Sequence, residues 1–363
     1  MMNNEKIAFC ITCMNRLKHL QQTLEKNIQD NYLKGQVEFV LLDYNSQDGL
    51  EEWVSNNMRK YIDEGILAYY KTTEPTHYLR SHSRNMAFRL ANVTILCNLD
   101  ADNFLGKGFA ELMLNEFSKQ DNIFYMTNQS YDGTYGRICV RRDDFISIRG
   151  YNEALQGWGF EDNDFINRLI LKELHPLSFK NPEFYHYIEH SDIERISDEY
   201  MFKNLEEMYI TYINPYTSGI LLLYKNFTTE HYSLVNNTLL NALVDFSKTN
   251  KPLFDDRIRI IVKNEIIKGF WNNGNGNDRM LIQENNIPFF AHKKAASFVF
   301  EGATFYKVED NKIKTDIFLL LTAAMNYNEA KKQFVNQSIN NPNHFGKGIV
   351  YKNFDSSNKI ILS

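Results

Sequence analysis

The chain of 363 residues is short of most features that would classify it at once. It has no basic excess: 40 Lys and Arg against 45 Asp and Glu leave a net charge of −5, so there is no general footprint for nucleic acid. It has no long apolar run. Ser218–Tyr224 and Ile317–Met325 are the most apolar segments, and both are far short of the ~20 residues a spanning helix needs. Met1 to Lys6 is polar and leads straight into a strand pattern, so no signal peptide is expected, and triplets such as Asn92-Val93-Thr94 carry no message about glycosylation. There are four cysteines. Cys10 and Cys13 form a C-x-x-C, but no second such pair completes a zinc site. On a strand, i and i+3 point to opposite faces. Buried free thiols are therefore expected, and reduced cysteines point to the cytoplasm. Internal repeats and low-complexity tracts are absent. What is present is 43% apolar residues and a length sufficient for more than one compact domain.

Residues 1 to about 120 alternate strand and helix patterns. Ile7–Thr12, Val37–Leu42, Ile66–Tyr70 and Val93–Leu99 are short apolar, β-branched runs. Between them lie helical spacings at Leu17, Leu20, Leu24 and Ile28, at Glu51 to Met58, and at Ser81–Leu90, where Ser81 or Ser83 could cap. This rhythm predicts a mostly parallel sheet covered on both faces. Beyond Phe117, Ile123–Thr127 and Gly136–Val140 read as strands around a turn at Tyr131-Asp132-Gly133-Thr134, and a helix carries Phe165, Ile166, Leu169 and Ile170. From about residue 200, Tyr200–Tyr212 and Leu234–Phe246 have helical periodicity, Ile258–Ile267 is ambiguous and Asn272–Asn277 is a loop. The expected organisation is an α/β domain over 1–200 and a mainly helical C-terminal domain over 201–363.

The central motif is Asp100-Ala101-Asp102, where the fourth strand runs out into a loop. In an open α/β sheet, ligands bind at the carboxyl ends of the strands. Residues i and i+2 of an extended segment face one way, and two close carboxylates repel unless a cation sits by them. A divalent metal holding a diphosphate is the sharp reading; an Asp capping the next helix is the plain one. Three further features stand beside it. Asp43, in Asp43-Tyr44-Asn45-Ser46-Gln47-Asp48-Gly49, ends the second strand and could accept hydrogen bonds from a nucleobase or ribose, or simply close an Asx turn. Arg84, on the helix feeding the fourth strand, could bind phosphate or lie solvated. Glu161 and Asp162 start a helix behind Gly157-Trp158-Gly159. Two adjacent acids cannot both cap that helix, and a loop tryptophan suits either a stacked sugar ring or a gap in the core.

Taken in order, the Asp43–Gly49 stretch, Ser83-Arg84-Asn85, D-x-D, Gly157-Trp158-Gly159-Phe160-Glu161-Asp162 and a later His resemble family 2 glycosyltransferases of the GT-A fold, over residues 5–195. The Gly157–Asp162 block, with Arg149-Gly150-Tyr151-Asn152-Glu153 before it, is similar to β-1,4-galactosyltransferases and polypeptide N-acetylgalactosaminyltransferases. Two departures stand out: Tyr44 replaces a frequent second acid, and the Q-x-x-R-W motif of processive synthases is missing. The resemblance implies a GT-A nucleotide-sugar-binding sandwich around the sheet. It implies Thr12, Asn15, Arg16, Asp43, Asn45, Arg84, Asp100 and Asp102 as nucleotide-sugar contacts. Asp102 would hold Mn²⁺ or Mg²⁺ with His190, or with His186 as the other candidate. Asp162 would be the general base, Glu161 would orient the acceptor, and Trp158 and Gly159 would line its site on a loop able to close.

The implied activity is transfer of one hexose, with galactose favoured, from a UDP-sugar to a saccharide or lipid-linked acceptor. It would proceed with inversion and one sugar per visit, in the cytoplasm or peripherally at the inner face of a membrane. The rivals are an inactive nucleotide-sugar-binding scaffold and a nucleotidyltransferase. The second usually needs a Gly-rich phosphate loop that Thr12-Cys13-Met14-Asn15-Arg16 does not supply.

Overall fold

The computed structural model describes residues 5–127, 133–214, 217–226, 228–237, 259–265, 269–272, 279–284, 287–292, 297–300, 302–309 and 311–363. The first third alternates as its pattern predicts: β1 (Ile7–Cys13), α1 (Leu17–Asn31), β2 (Val37–Tyr44), α2 (Leu50–Asn57), α3 (Arg59–Asp63), β3 (Leu67–Thr72), α4 (Arg80–Leu90) and β4 (Ile95–Asn98). Neither Ser81 nor Ser83 caps α4, whose N-cap position is Leu79. β1 is buried along its whole length because it pairs in parallel with β2 on one side and β4 on the other, with helices above and below. Its odd residues Ile7, Phe9, Ile11 and Cys13 join the layer under α1 and α5 (Phe109–Lys119). Its even residues Ala8 and Cys10 join the layer under α4 and α7 (Glu161–Leu171). Cys10 and Cys13 thus face opposite layers, and all four cysteines are buried and free.

The sheet continues through β5 (Ile123–Met126), β6 (Cys139–Arg141) and β7 (His175–Ser178), with α6 (Arg142–Ser147) following β6. The expected turn at 131–134 lies partly outside the described residues. After a single turn of 3-10 helix at Pro182–Tyr185 come two short helices, α8 (Asp192–Ile196) and α9 (Tyr200–Asn204).

The C-terminal part differs from the helical expectation. One long helix is present, α10 (Asn311–Val335). Between α9 and α10 every described element is a strand: β8 (Leu205–Asn214), β9 (Thr217–Tyr224), β10 (Thr229–Asn237), β11 (Arg259–Glu265), β12 (Gly269–Asn272), β13 (Arg279–Glu284), β14 (Ile287–His292), β15 (Ser297–Phe300) and β16 (Ala303–Lys307). Only Tyr200–Asn204 of the expected 200–212 helix is helical. The remainder pairs with β9 and β16, and such long-range pairing overrides a weak local period. Residues 234–237 are likewise strand. Residues 238–246, and 273–277 of the expected loop, lie outside the described residues. Finally β17 (Gly348–Lys352) and β18 (Lys359–Leu362) return to the first sheet beside β3.

The first sheet therefore runs β18-β17-β3-β2-β1-β4-β6-β5-β7. β3, β2, β1 and β4 form its parallel block. From β1 the chain winds outward through β2 to β3, then crosses back to place β4 on β1's other side. That reversal opens a crevice beyond the carboxyl ends of β1 and β4, the usual ligand position in such sheets.

Candidate active site

β4 delivers its acids to that crevice through a braced loop. α1 carries Thr23, Asn27 and Asn31 one turn apart on a buried face. Thr23 donates to the Ala101 carbonyl (2.7 Å). Asn27 donates to the Asn103 carbonyl (2.8 Å) and accepts from the Leu105 amide (2.8 Å). Asn31 donates to the Gly106 carbonyl (3.0 Å) and accepts from the Ala110 amide (3.0 Å). Buried main-chain groups of an irregular loop need such partners, so this ladder fixes where Asp100 and Asp102 project. Buried Arg137 adds bonds to Asn103 Oδ1 and the Phe104 carbonyl.

The second acid segment meets the first at Arg84. Asp162 Oδ1 accepts from this guanidinium at 2.7 Å, and Asp100 Oδ1 lies 3.4 Å from it. Asn98 holds Asp100 Oδ1 at 3.0 Å and the Gly136 carbonyl at 2.9 Å. A Cβ on Gly136 would come within 2.9 Å of Arg84, 3.0 Å of Asp100 Oδ2 and 3.2 Å of Asp162 Oδ2. The missing side chain leaves a cradle where the three charged groups meet. Arg80, one turn before Arg84, binds Glu199 (2.7 Å) and approaches Glu161 (3.8 Å). Glu161 is buried, and among the described residues none donates a hydrogen bond to its Oε2.

These contacts set the charges. Burial works against the Arg84 cation, but Asp162 and Asp100 overrule it and hold the group well above its ordinary value. Burial would raise the Asp100 carboxyl; Arg84 and the Asn98 amide outweigh it and keep it low. Asp162 goes the other way. Burial, with Glu161 and Asp100 nearby, pushes it up to about 7 despite Arg84.

Asp102 faces a different partner. Its Oδ2 lies 3.1 Å from His190 Nε2, both side chains about seven-eighths buried at 14% and 13% exposure. The hydrogen bond with Asp102 raises the imidazole against the effect of burial, as expected where positive charge is favoured. His186 stands apart: it is 63% exposed and lies 3.6 Å from Glu183. A carboxylate and an imidazole suit a Mn²⁺-type ion that keeps further positions for phosphate or water. Among the described residues no third His, Cys, Asp or Glu completes an all-protein cage.

Several nucleotide contacts expected from the sequence are differently employed. Arg84, expected to bind phosphate, has a side chain only 4% exposed and paired with carboxylates. Asp43 is buried with both oxygens engaged, by the Ser46 amide (2.7 Å) and Tyr69 hydroxyl (2.7 Å), and burial lifts its carboxyl above the ordinary value. Thr12 bonds Tyr78 (2.7 Å), and Asn45 donates to the Pro75 carbonyl (2.7 Å). Asn15 donates to Asp198 (2.8 Å), and Arg16 reaches the Glu194 carbonyl. Asn15, Arg16 and Asp102 thus all contact the 188–198 segment, which lies across the crevice.

The Gly157–Gly159 loop, expected to be able to close, is hydrogen-bonded to α10. The Trp158 carbonyl accepts from Thr322 (2.8 Å) and the Gly159 carbonyl from Asn326 (2.7 Å), while the Gln156 amide donates to Asn326 Oδ1 (3.0 Å). A Cβ at Gly159 would meet Ala323 Cβ at 2.8 Å, so α10 approaches as closely as it does because the loop is glycine. Trp158 packs on the C-terminal core with the Arg195 guanidinium 5.7 Å over its ring, which favours the gap-filling role. Neither Glu161 nor Asp162 caps α7. Gly136, Asn98, Arg80, Glu199 and the α1 and α10 ladders had no signal in the sequence beyond their residue types.

Residues 122–198 match the family described as the N-terminal domain of galactosyltransferase. Chondroitin sulfate synthase 3 of Homo sapiens and of Mus musculus are each 40% identical over 45 residues, 12% of this chain. The match spans about 5% of the length of these curated relatives. Among solved structures, the mannosyltransferase PcManGT from Pyrobaculum calidifontis in complex with GDP-Man and Mn²⁺ is similar at 15% identity and TM-score 0.42, over 49% of this chain and 55% of that one. S. aureus TarS 1-349 is similar at 15% identity and TM-score 0.43, over 52% and 61%.

Proposed function

We propose that this chain is a metal-dependent glycosyltransferase of GT-A type that moves one hexose, galactose favoured, from a UDP-sugar to a saccharide or lipid-linked acceptor. The observation that carries the reading is the meeting of Asp100 and Asp162, 62 positions apart in the chain, across the Gly136 cradle. The galactosyltransferase-type match over 122–198 supports it, because that stretch contains the Asp162 loop and His190. The acceptor would be met where membrane-bound saccharides are built, on the cytoplasmic side.

In this reading Asp162 takes the proton of the acceptor hydroxyl as that oxygen attacks the anomeric carbon. The UDP leaves from the opposite face, so the centre inverts. A base poised near neutrality is suited to that transfer. Glu161 Oε2, buried and without a hydrogen-bond partner among the described residues, would accept from the acceptor and orient it. Asp102 and His190 would hold the divalent ion, whose contribution when bound is to offset charge on the leaving diphosphate. The Arg84 salt bridge to Asp162 also fits a second reading, an inactive sugar-nucleotide scaffold whose base is already neutralised.

A screen of UDP-sugars with Mn²⁺, read as UDP release, separates the two. Release with one donor, together with thermal stabilisation by UDP that requires Mn²⁺, is expected. Stabilisation without release from any donor would establish the scaffold instead.

A further inference from the structure

We propose that a cavity of about 330 Å³ along β3 is a subsite for one neutral sugar ring, distinct from the acid cluster. It lies between the start of α2 and the β17–β18 hairpin. Its walls include Tyr69 and Lys71 of β3, Glu51 of α2, and Tyr351, Phe354 and Ser356 of the hairpin. The volume is at the low end of ligand pockets, about 300–1,000 Å³, so it suits a single ring rather than a chain.

The chemistry of the walls selects the class. Lys71 Nζ lies 2.6 Å from Glu51 Oε2, so the charges cancel and an anion gains little. The hydroxyls of Tyr351 and Ser356 offer both donors and acceptors, which is what a polyhydroxylated ligand needs. Phe354, stacked at 4.9 Å on the buried Tyr69 ring and with the Arg59 guanidinium 6.0 Å from its centroid, is the aromatic side chain that borders the cavity.

The hairpin is shaped to keep that wall. Asn353 and Phe354 sit at φ 50° and 68°, where a bulky side chain is a backbone outlier. Asn353 clamps the turn to β3, donating to the Tyr69 carbonyl (2.8 Å) and accepting from its amide (3.0 Å). A glycine at 354 would relax the turn, yet a phenylalanine stands there with its ring on the cavity. Outliers held by surrounding bonds are where a functional role is sought. Tyr69 also links the cavity to the parallel block, through its hydroxyl on Asp43 at the end of β2 (2.7 Å). The proposal rests on the glycosyltransferase reading for the source of the sugar: a residue of the acceptor saccharide outside the reacting one.

The test is saturation-transfer NMR on the full chain with methyl β-galactoside and methyl β-glucoside as probes, and glucuronate and inorganic phosphate as anion controls. Two variants accompany the wild type: Ser356→Trp, which fills the cavity from an exposed position, and Phe354→Gly, which relaxes the turn and removes the wall. The neutral glycosides should be saturated by the wild type and at least about tenfold less by both variants. Ser356→Trp should leave Tm unchanged, and Phe354→Gly, which uncovers the buried Tyr69 ring, should lower it. No saturation in the wild type, equal saturation in Ser356→Trp, or preference for the anions would each overturn the subsite. UDP stabilisation with Mn²⁺ is read in the same samples. Its loss counts against the glycosyltransferase reading and leaves the sugar result standing.

Discussion

The loop after β4 and the loop before α7 each bring an acid to the Gly136 cradle, and each is held through its main chain by Thr and Asn side chains one turn apart on a helix. For the first loop the helix is α1, whose Asn27 bonds Asn103 across 76 residues of chain, within the layer that folds around β1. For the second it is α10, whose Asn326 bonds Gly159 across 167 residues, from the part of the chain that carries a separate sheet. The Asp100–Asp102 loop is therefore set by its own layer. The Glu161–Asp162 loop is set only once the C-terminal part has docked. Residues 201–363 are not merely appended; one of their helices aims the proposed base.

The sharpest way to separate the two loops is to remove their acids. Asp162→Asn should lower turnover by about 10²-fold or more, the contribution of a positioned base, while UDP still stabilises the protein. Unchanged turnover would end the assignment. Next come the braces. Asn27→Ala strands the Asn103 carbonyl and Leu105 amide, and Asn326→Ala strands the Gly159 carbonyl and Gln156 amide. Each should cost about 2–4 kcal/mol in urea unfolding. Asn27→Ala should also weaken metal-dependent UDP binding, whereas Asn326→Ala should leave binding intact and lower turnover. Equal loss of UDP binding in both would show that the loops are not independent.

A smaller effect tests the close approach of α10. Gly159→Ala places a methyl 2.8 Å from Ala323 Cβ at φ 99°, and should lower turnover by a factor matching about 1–3 kcal/mol. An unaffected rate would mean the clamp can slide. The gentlest probe is pH. Because the Asp162 carboxyl is pushed up to about 7, its active ionised form is lost as pH falls, so kcat/KM should drop about tenfold per unit below that value and level off above it. A profile flat down to pH 5 would place the base elsewhere.

The sequence shows the first comparison partner better than the second. β1 to β4 are legible because a strand buried on both faces is a continuous apolar run, and the helices between keep a clear period. Asp100, Asp102 and Asp162 are legible because acids at the end of a strand or the start of a helix occupy few positions. The braces are not: Thr23, Asn27 and Asn31 look like part of a helix's polar stripe, and nothing local shows that the stripe faces inward. Arg84 reads as a phosphate ligand or a solvated cation until Asp162, Asp100 and Glu161 are seen around it. Leu205–Asn214 reads as helix because its partners in β9 and β16 are what make it a strand.

One consequence concerns the excursion from β8 to β16. It begins and ends on neighbouring strands: Ile210 pairs with Tyr306, and the Val308 amide donates to the Met208 carbonyl (2.8 Å). The segment thus leaves and re-enters at a single doorway. What lies between is not a free insert: Ile220, Leu222, Tyr224 and Tyr232 of β9 and β10 share one core with Ile317, Phe318, Leu321 and Ala324 of α10. A change in what the excursion gives to that core therefore reaches α10 and, through Asn326, the loop that carries the proposed base.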